Sequence, residues 1–390
     1  MKTKSAPVIL LVLVLGSAGV FWWVTRSAAP LSVKEPAGPP VTLPTPAVEP
    51  VAVAPAPVVP AAAQDISTQL DDIVGRLTAS ADADASRKLL AELRGLLDAL
   101  PREVASREVQ SFLSLKKDAG TKLDVTVKAG GALGDASSLR VFLLDYLGQI
   151  DRPAAAAIGK QILSAPSSPD EWAVSLRNVA WADDTPGNLA YLRAKTREMI
   201  GNPAWRQNPS SGFLEAFDVI VHARGFDLAP QLTELVRDKD NRAVAHAAYL
   251  TLDRLTITDP AAALAPLAAQ PELMEGREQT RANFFARGDV RDPQQKALLE
   301  TYLLDPRRSP QELQTFAGIY PNANYMISNN LLTPTPTPAH DELAQRDRAA
   351  LGVVEGWVAD PRFARLQPEL TAIRDRLRTF VQQAATPPVP

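Results

Sequence analysis

Residues 87–100 read RKLLAELRGLLDAL, with Leu89, Leu90, Leu93, Leu96, Leu97 and Leu100 at i, i+1, i+4, i+7, i+8 and i+11. That spacing gathers the leucines on one face of an α-helix. The pattern recurs along the chain: Leu139, Phe142, Leu143, Tyr146, Leu147 and Ile150 form one ridge, and Phe213, Leu214, Phe217, Ile220 and Val221 another. Leu228, Leu232, Leu235 and Val236 follow, and the last ridge is Leu366, Leu370, Ile373, Leu377 and Phe380. Between the ridges stands a repeated pair, an acceptor side chain followed by proline: Ser168-Pro169, Thr185-Pro186, Asp259-Pro260, Asp292-Pro293, Ser309-Pro310 and Asp360-Pro361. A side-chain oxygen at the N-cap and a proline at the first helical position start a helix efficiently, because that position's N–H has no intrahelical partner. Residues 65–332 are therefore read as an all-α helical array. A Thr-Pro linker at 333–338 and a C-terminal helical pair within 339–385 complete it.

Two stretches depart from the helical period. Residues 118–135 alternate Leu123, Val125 and Val127 before Gly130-Gly131, which predicts an extended loop or a short hairpin. Residues 320–330, YPNANYMISNN, set Asn322, Asn324, Asn329 and Asn330 around Tyr320 and Tyr325. Amide groups beside aromatic faces suit recognition of sugar or peptide backbone. The same asparagines also suit a tight connection, capping a helix and accepting left-handed backbone, and this second reading is preferred.

Segments such as DPAAALAPLAAQPEL (259–273) and DRPAAAAIGKQIL (151–163) resemble HEAT-type repeats, whose paired helices often carry an early proline and an apolar ridge. The resemblance spans residues 65–332 and implies an irregular α-solenoid, since the cap dipeptides keep no strict period of about 40 residues; an irregular all-α globule is the alternative. Solenoids offer extended surfaces to protein or polymer partners.

Towards the N-terminus, residues 7–24, PVILLVLVLGSAGVFWWV, form an uncharged apolar run preceded by Lys2 and Lys4 and closed by Trp22, Trp23 and Arg26. At the helical rise it covers about 27 Å, enough to cross a hydrocarbon core of about 30 Å. A cleaved signal peptide is the rival reading. It is disfavoured because cleavage after Ala28 sets Arg26 where a small residue is wanted, and cleavage after Ala29 leaves Pro30 next. The run is read as a transmembrane signal anchor, with residues 1–6 as a cytoplasmic tip by the positive-inside tendency. Residues 25–64 carry ten prolines among Ala, Val and Thr, and are read as a disordered, polyproline-II-like linker reaching at most about 110 Å. Tip, anchor and spacer superficially resemble TonB-type transducers. That identification is rejected, because no histidine lies in 7–24 and the body lacks a strand-rich terminal domain.

The remaining composition narrows the function. There is no cysteine, hence no disulfide framework or thiolate metal site, and 41 basic against 44 acidic residues leave no basic footprint for nucleic acid. His222, His246 and His340 form no HExxH pair, and no GxxxxGK[ST] or GxSxG motif occurs. Ser114-Leu115-Lys116-Lys117 matches S-x-x-K, but no K-T-G element follows. Asp183-Asp184 and Asp238/Asp240 are acidic pairs read as capping or solvated groups. No catalytic, cofactor or metal residue is assigned, and the only candidate binding residues are Tyr320, Asn322, Asn324, Tyr325, Asn329 and Asn330. The expected protein is a single-pass, exported binding or scaffolding module, periplasmic in a Gram-negative cell, held by residues 7–24 and meeting a protein or envelope-polymer partner. An envelope enzyme acting on glycan or peptide is the alternative.

Overall fold

The structure is a computed structural model that describes residues 61–335 and 337–385. The expected tip and anchor, and the linker up to residue 60, lie outside the described residues. Within them the chain is all-α, with eighteen α-helices, three 3-10 turns and no strand. No described helix is long and apolar enough to cross a membrane.

The leucine-rich stretch lies in α2 (Ala83–Asp98), with Leu100 just beyond its end; α2 follows α1 (Ala61–Ala79) and precedes α3 (Arg102–Ser114). Leu90, Leu93 and Leu97 are its buried face, and Asp82 caps it by accepting from Ala85 N. All six acceptor–proline pairs act as caps. Ser168 starts α6 (Pro169–Ala182), Thr185 α7 (Pro186–Gly201), Asp259 α13 (Pro260–Ala269), Asp292 α15 (Pro293–Leu304) and Ser309 α16 (Pro310–Ile319). Asp360 caps a 3-10 turn, Pro361–Leu366, and not an α-helix. The same chemistry starts α5 (Arg152–Ile162) at Asp151 and α8 (Pro203–Gln207) at Asn202.

The ridge read over 213–221 is divided between α9 (Ser211–Glu215) and α10 (Asp218–His222), joined by a turn at Ala216–Phe217. Both halves still face inward: Phe213, Phe217, Ile220 and Val221 are buried. α4 (Leu139–Ile150), α11 (Ala229–Arg237), α12 (Arg242–Thr258), α14 (Glu278–Phe285), α17 (His340–Ala359) and α18 (Gln367–Ala385) complete the set.

Packing follows chain order. α5 lies on α6, α11 on α12, α12 on α13, α14 on α16 and α17 on α18. One continuous apolar core runs through these contacts from Ile66 to Leu377. Two non-helical segments then tie distant parts together.

The first is the 118–135 excursion. It is an extended loop with isolated antiparallel bridges, Gly120 to Ser138 and Val127 to Leu133, and not a two-stranded hairpin. Of the alternating residues Leu123 and Val125 are buried and Val127 is half-buried, and Leu133 beyond the turn is buried as well. Its tip turns through Gly130 and Gly131, both at positive φ. A Cβ at Gly131 would stand 2.2 Å from the Leu331 carbonyl oxygen, so glycine is required there both by conformation and by space. Arg177 of α6, fully buried, holds this tip. Its Nη1 donates to Gly131 O at 2.8 Å and to Asp145 Oδ1 at 2.6 Å, while Leu133 N donates to the same carboxylate. The Trp181 ring lies 4.1 Å from the guanidinium and completes its enclosure.

The second is the segment after α16. Among the described residues from Pro321 to Ala339 there is no helix, and the segment travels backwards along the array as a strap. Asn322 N donates to Ala286 O at 2.7 Å near its start. Farther along, buried Asp218 of α10 accepts from Leu332 N at 2.7 Å and Thr333 N at 2.8 Å, and from the Thr333 hydroxyl. Arg254 of α12 bridges the two, donating to Asp218 at 2.9 Å and to Ser328 Oγ at 2.7 Å. Leu331, fully buried, meets the Gly131 tip, so one strap residue touches an element 200 positions earlier.

Candidate functional site

The strap roofs a cavity of about 430 Å³, within the range of small-molecule sites. Thr256, Ile257 and Pro260 at the α12–α13 junction form one wall. Arg287, Asp289 and Gln295, around the α14–α15 connection, form the second; Asn322, Ala323 and Tyr325 of the strap, with Glu342, Leu343 and Arg346 of α17, close it.

The wall residues are placed by local rules. Asp292 caps α15 by accepting from Gln294 N and Gln295 N, and Gln295 in turn accepts from Asp289 N at 2.8 Å, fixing the connection that presents Asp289. Ala339 leads into α17, so Glu342 and Arg346 stand one turn apart near its start.

Both signs of charge occur. Arg287 is paired with Asp253, donating from Nε and Nη2 at 2.7 and 2.8 Å; burial pushes the Asp253 carboxyl up, and that guanidinium opposes the push. Asp289 and Glu342 share a single guanidinium, Arg291, whose Nη2 donates to both. Partial burial favours the neutral form of Asp289, but the Arg291 bonds outweigh it and hold the carboxyl below its ordinary range. The hydrogen bond from Arg291 likewise lowers Glu342. Arg346 makes no hydrogen bond or ion pair to a carboxylate, although Asp289 and Asp347 both act on it through space. It donates to the carbonyls of Asn322 at 3.2 Å, Ala286 at 3.4 Å and Arg287 at 3.0 Å, and its Nε is buried without a partner. Desolvation lowers its pKa.

The six residues singled out in 320–330 are spread over three environments. Tyr320 is buried and stacks on Phe316 at 4.9 Å, within an aromatic series that continues to Tyr302 and Phe285. Asn322, also buried, lines the cavity, and its Oδ1 accepts from Asn324 N at 3.0 Å. Tyr325 is half-buried on the cavity wall, whereas the Asn324 and Asn329 side chains are exposed. Asn330 accepts from Arg254 and Ser328 and donates to Thr333 O at 2.9 Å, which ties down the strap. Only Asn322 and Tyr325 thus meet at one site. Their partners Arg287 and Asp289 lie on the α14–α15 connection and Glu342 and Arg346 on α17, and no spacing in the sequence connects them.

The remaining motifs are accounted for by local contacts. Ser114 Oγ donates to Ser111 O, and Lys117 is paired with Asp71 at 2.7 Å, so serine and lysine of the S-x-x-K match do not meet. Asp183 accepts from Thr185 N and Oγ1, and Asp238 accepts from Asp240 N. His246 stacks on Tyr249, His340 is exposed, and His222 Nε2 lies 3.3 Å from Asp184. Among the described residues no three His, Asp or Glu side chains converge as a metal site. No protein-family model, curated protein or solved structure matches this chain.

Proposed function

We propose that the protein is a membrane-tethered, exported binding or scaffolding module of the cell envelope. In this reading residues 7–24 are the anchor, the proline-rich stretch is a tether, and the body is an irregular, HEAT-like α-solenoid facing a protein or envelope-polymer partner. The observation that carries the binding reading is the strap. It is held by buried polar bonds on both sides, yet it presents Tyr325, half-buried, followed by Met326 at 50 % and Ile327 at 81 % exposure. Large apolar side chains displayed together on a pinned segment are characteristic of interaction sites, where ordering costs are met before the partner arrives. The neighbour-on-neighbour packing supports the solenoid reading.

A photo-reactive residue at position 327 of the full-length chain, expressed in cells and followed by fractionation, tests both halves. The expected result is membrane-fraction protein retaining its N-terminal residues and forming one discrete adduct. That adduct is lost in Tyr325→Ala and is not formed when the probe sits at exposed Lys88. Protein that is soluble, or begins near Leu31, refutes the anchor; absence of any adduct specific to position 327 refutes the binding surface.

A further inference from the structure

The cavity beneath the strap carries both signs of charge, and their direct ion pairing is incomplete. Arg287 is matched by Asp253, whereas Asp289 and Glu342 share Arg291, leaving one carboxylate in surplus. Arg346 is the converse, a guanidinium whose hydrogen-bond acceptors are all backbone carbonyls, which Asp289 and Asp347 offset only through space, and whose Nε is buried without a partner. A partly desolvated cation is costly unless an anion accompanies it, and guanidinium geometry favours a carboxylate. Between these charged groups Ile257, Pro260 and Leu343 supply apolar wall.

We propose that this cavity binds a small zwitterion, a free amino acid or short peptide, with its carboxylate on Arg346 and its ammonium toward Asp289 and Glu342. An anion alone would meet the two wall carboxylates, and a cation alone would meet Arg346; a ligand carrying both signs answers both. The volume of about 430 Å³ accommodates a dipeptide with an aliphatic side chain against Ile257 and Leu343. This inference does not depend on the tether or on the apolar strap surface.

The test is calorimetric titration of the detergent-solubilised full chain with leucine, Ala-Leu, N-acetyl-Ala-Leu and Ala-Leu-amide. Binding of leucine or Ala-Leu is expected, the stronger of the two naming the source, with each blocked peptide at least tenfold weaker than Ala-Leu. Arg346→Gln should abolish binding. Glu342→Gln, on the exposed rim, should preserve folding and erase the difference between Ala-Leu and its acetylated form. No heat from either free ligand at millimolar concentration overturns the proposal, as does equal binding of free and blocked peptides. So does an Arg346→Gln variant that melts lower yet binds unchanged, which would make Arg346 solely a cap on the α14 carbonyls. Should Arg346→Gln fail to fold, Glu342→Gln decides: retained discrimination against the acetylated peptide overturns the proposal.

Discussion

Arg177 and Arg76 show how far one residue type can differ in worth. Arg76 pairs with Glu92 at 2.7 Å, but the two side chains are 42 % and 45 % exposed, so water and salt screen most of the attraction. Arg177 and Asp145 are fully buried, and the carboxylate also accepts the Leu133 N–H of the loop. Removing Arg177 leaves the Asp145 charge in the core with only the partly exposed Arg94 guanidinium, 3.8 Å away, to answer it. Arg177→Ala is expected to cost about 3–5 kcal/mol and Arg76→Ala far less, compared by urea denaturation. A second residue sets a pH dependence. The side-chain bonds from Arg307, with Arg308 close by, outweigh partial desolvation and hold the Asp305 carboxyl down to about 2. Its folded pKa lies below the unfolded value of about 3.9, so its stabilisation is complete above pH ~4 and fades as pH falls toward 2. Asp305→Asn should remove that part of the acid slope, so its stability difference from the parent, measured at fixed salt, should shrink between pH 4 and 2. The sequence shows an Asp-Pro-Arg-Arg run, but only the fold seats both guanidinium groups on the carboxylate.

At the scale of the element, caps were the most legible feature. Each acceptor–proline pair proved to be a start signal because both halves act within one turn and need no distant partner. Ser309 Oγ accepts from Glu312 N at 3.2 Å, so Ser309→Ala is expected to cost about 1 kcal/mol in chemical denaturation. The asparagines of 320–330 divide differently from their equal weight in the sequence. Asn322→Ala and Asn330→Ala should each cost about 1 kcal/mol, because their side chains bond the backbone at Asn324 and Thr333. Asn324→Ala and Asn329→Ala, exposed, should stay within about 0.5 kcal/mol in the same measurement. Where the sequence reading placed one ridge, α9 and α10 form two short helices. Apolar spacing reports which residues turn inward, and it is silent on a break in the backbone that leaves them all buried.

For the whole molecule the decisive feature is the strap, which ties α10, α12 and the Gly131 tip to a segment more than 70 residues beyond any of them. Asp218→Ala strips the acceptor from Arg254 and from two backbone N–H groups at once. The expected outcome is fast hydrogen exchange over residues 328–335 with α2 and α3 unchanged. Slow exchange there would show that buried Leu331 and the bonds of Ser328 and Asn330 hold the strap without Asp218. Because one core runs from Ile66 to Leu377, a fragment of residues 65–385 should be strongly helical and melt in a single transition by circular dichroism. The all-α character, the helix starts, the inward faces and the special role of the 118–135 and 320–330 stretches were determined by the sequence alone. Periodicity, caps and glycines act over a few residues and are written where they act. The strap's backward path, the burial of Arg177 and the joining of Arg287, Asp289, Glu342 and Arg346 around one cavity were decided only by tertiary structure. Those groups come from separate helices and joints, and their charges acquire meaning only when packing removes water and sets which carboxylate each guanidinium can reach.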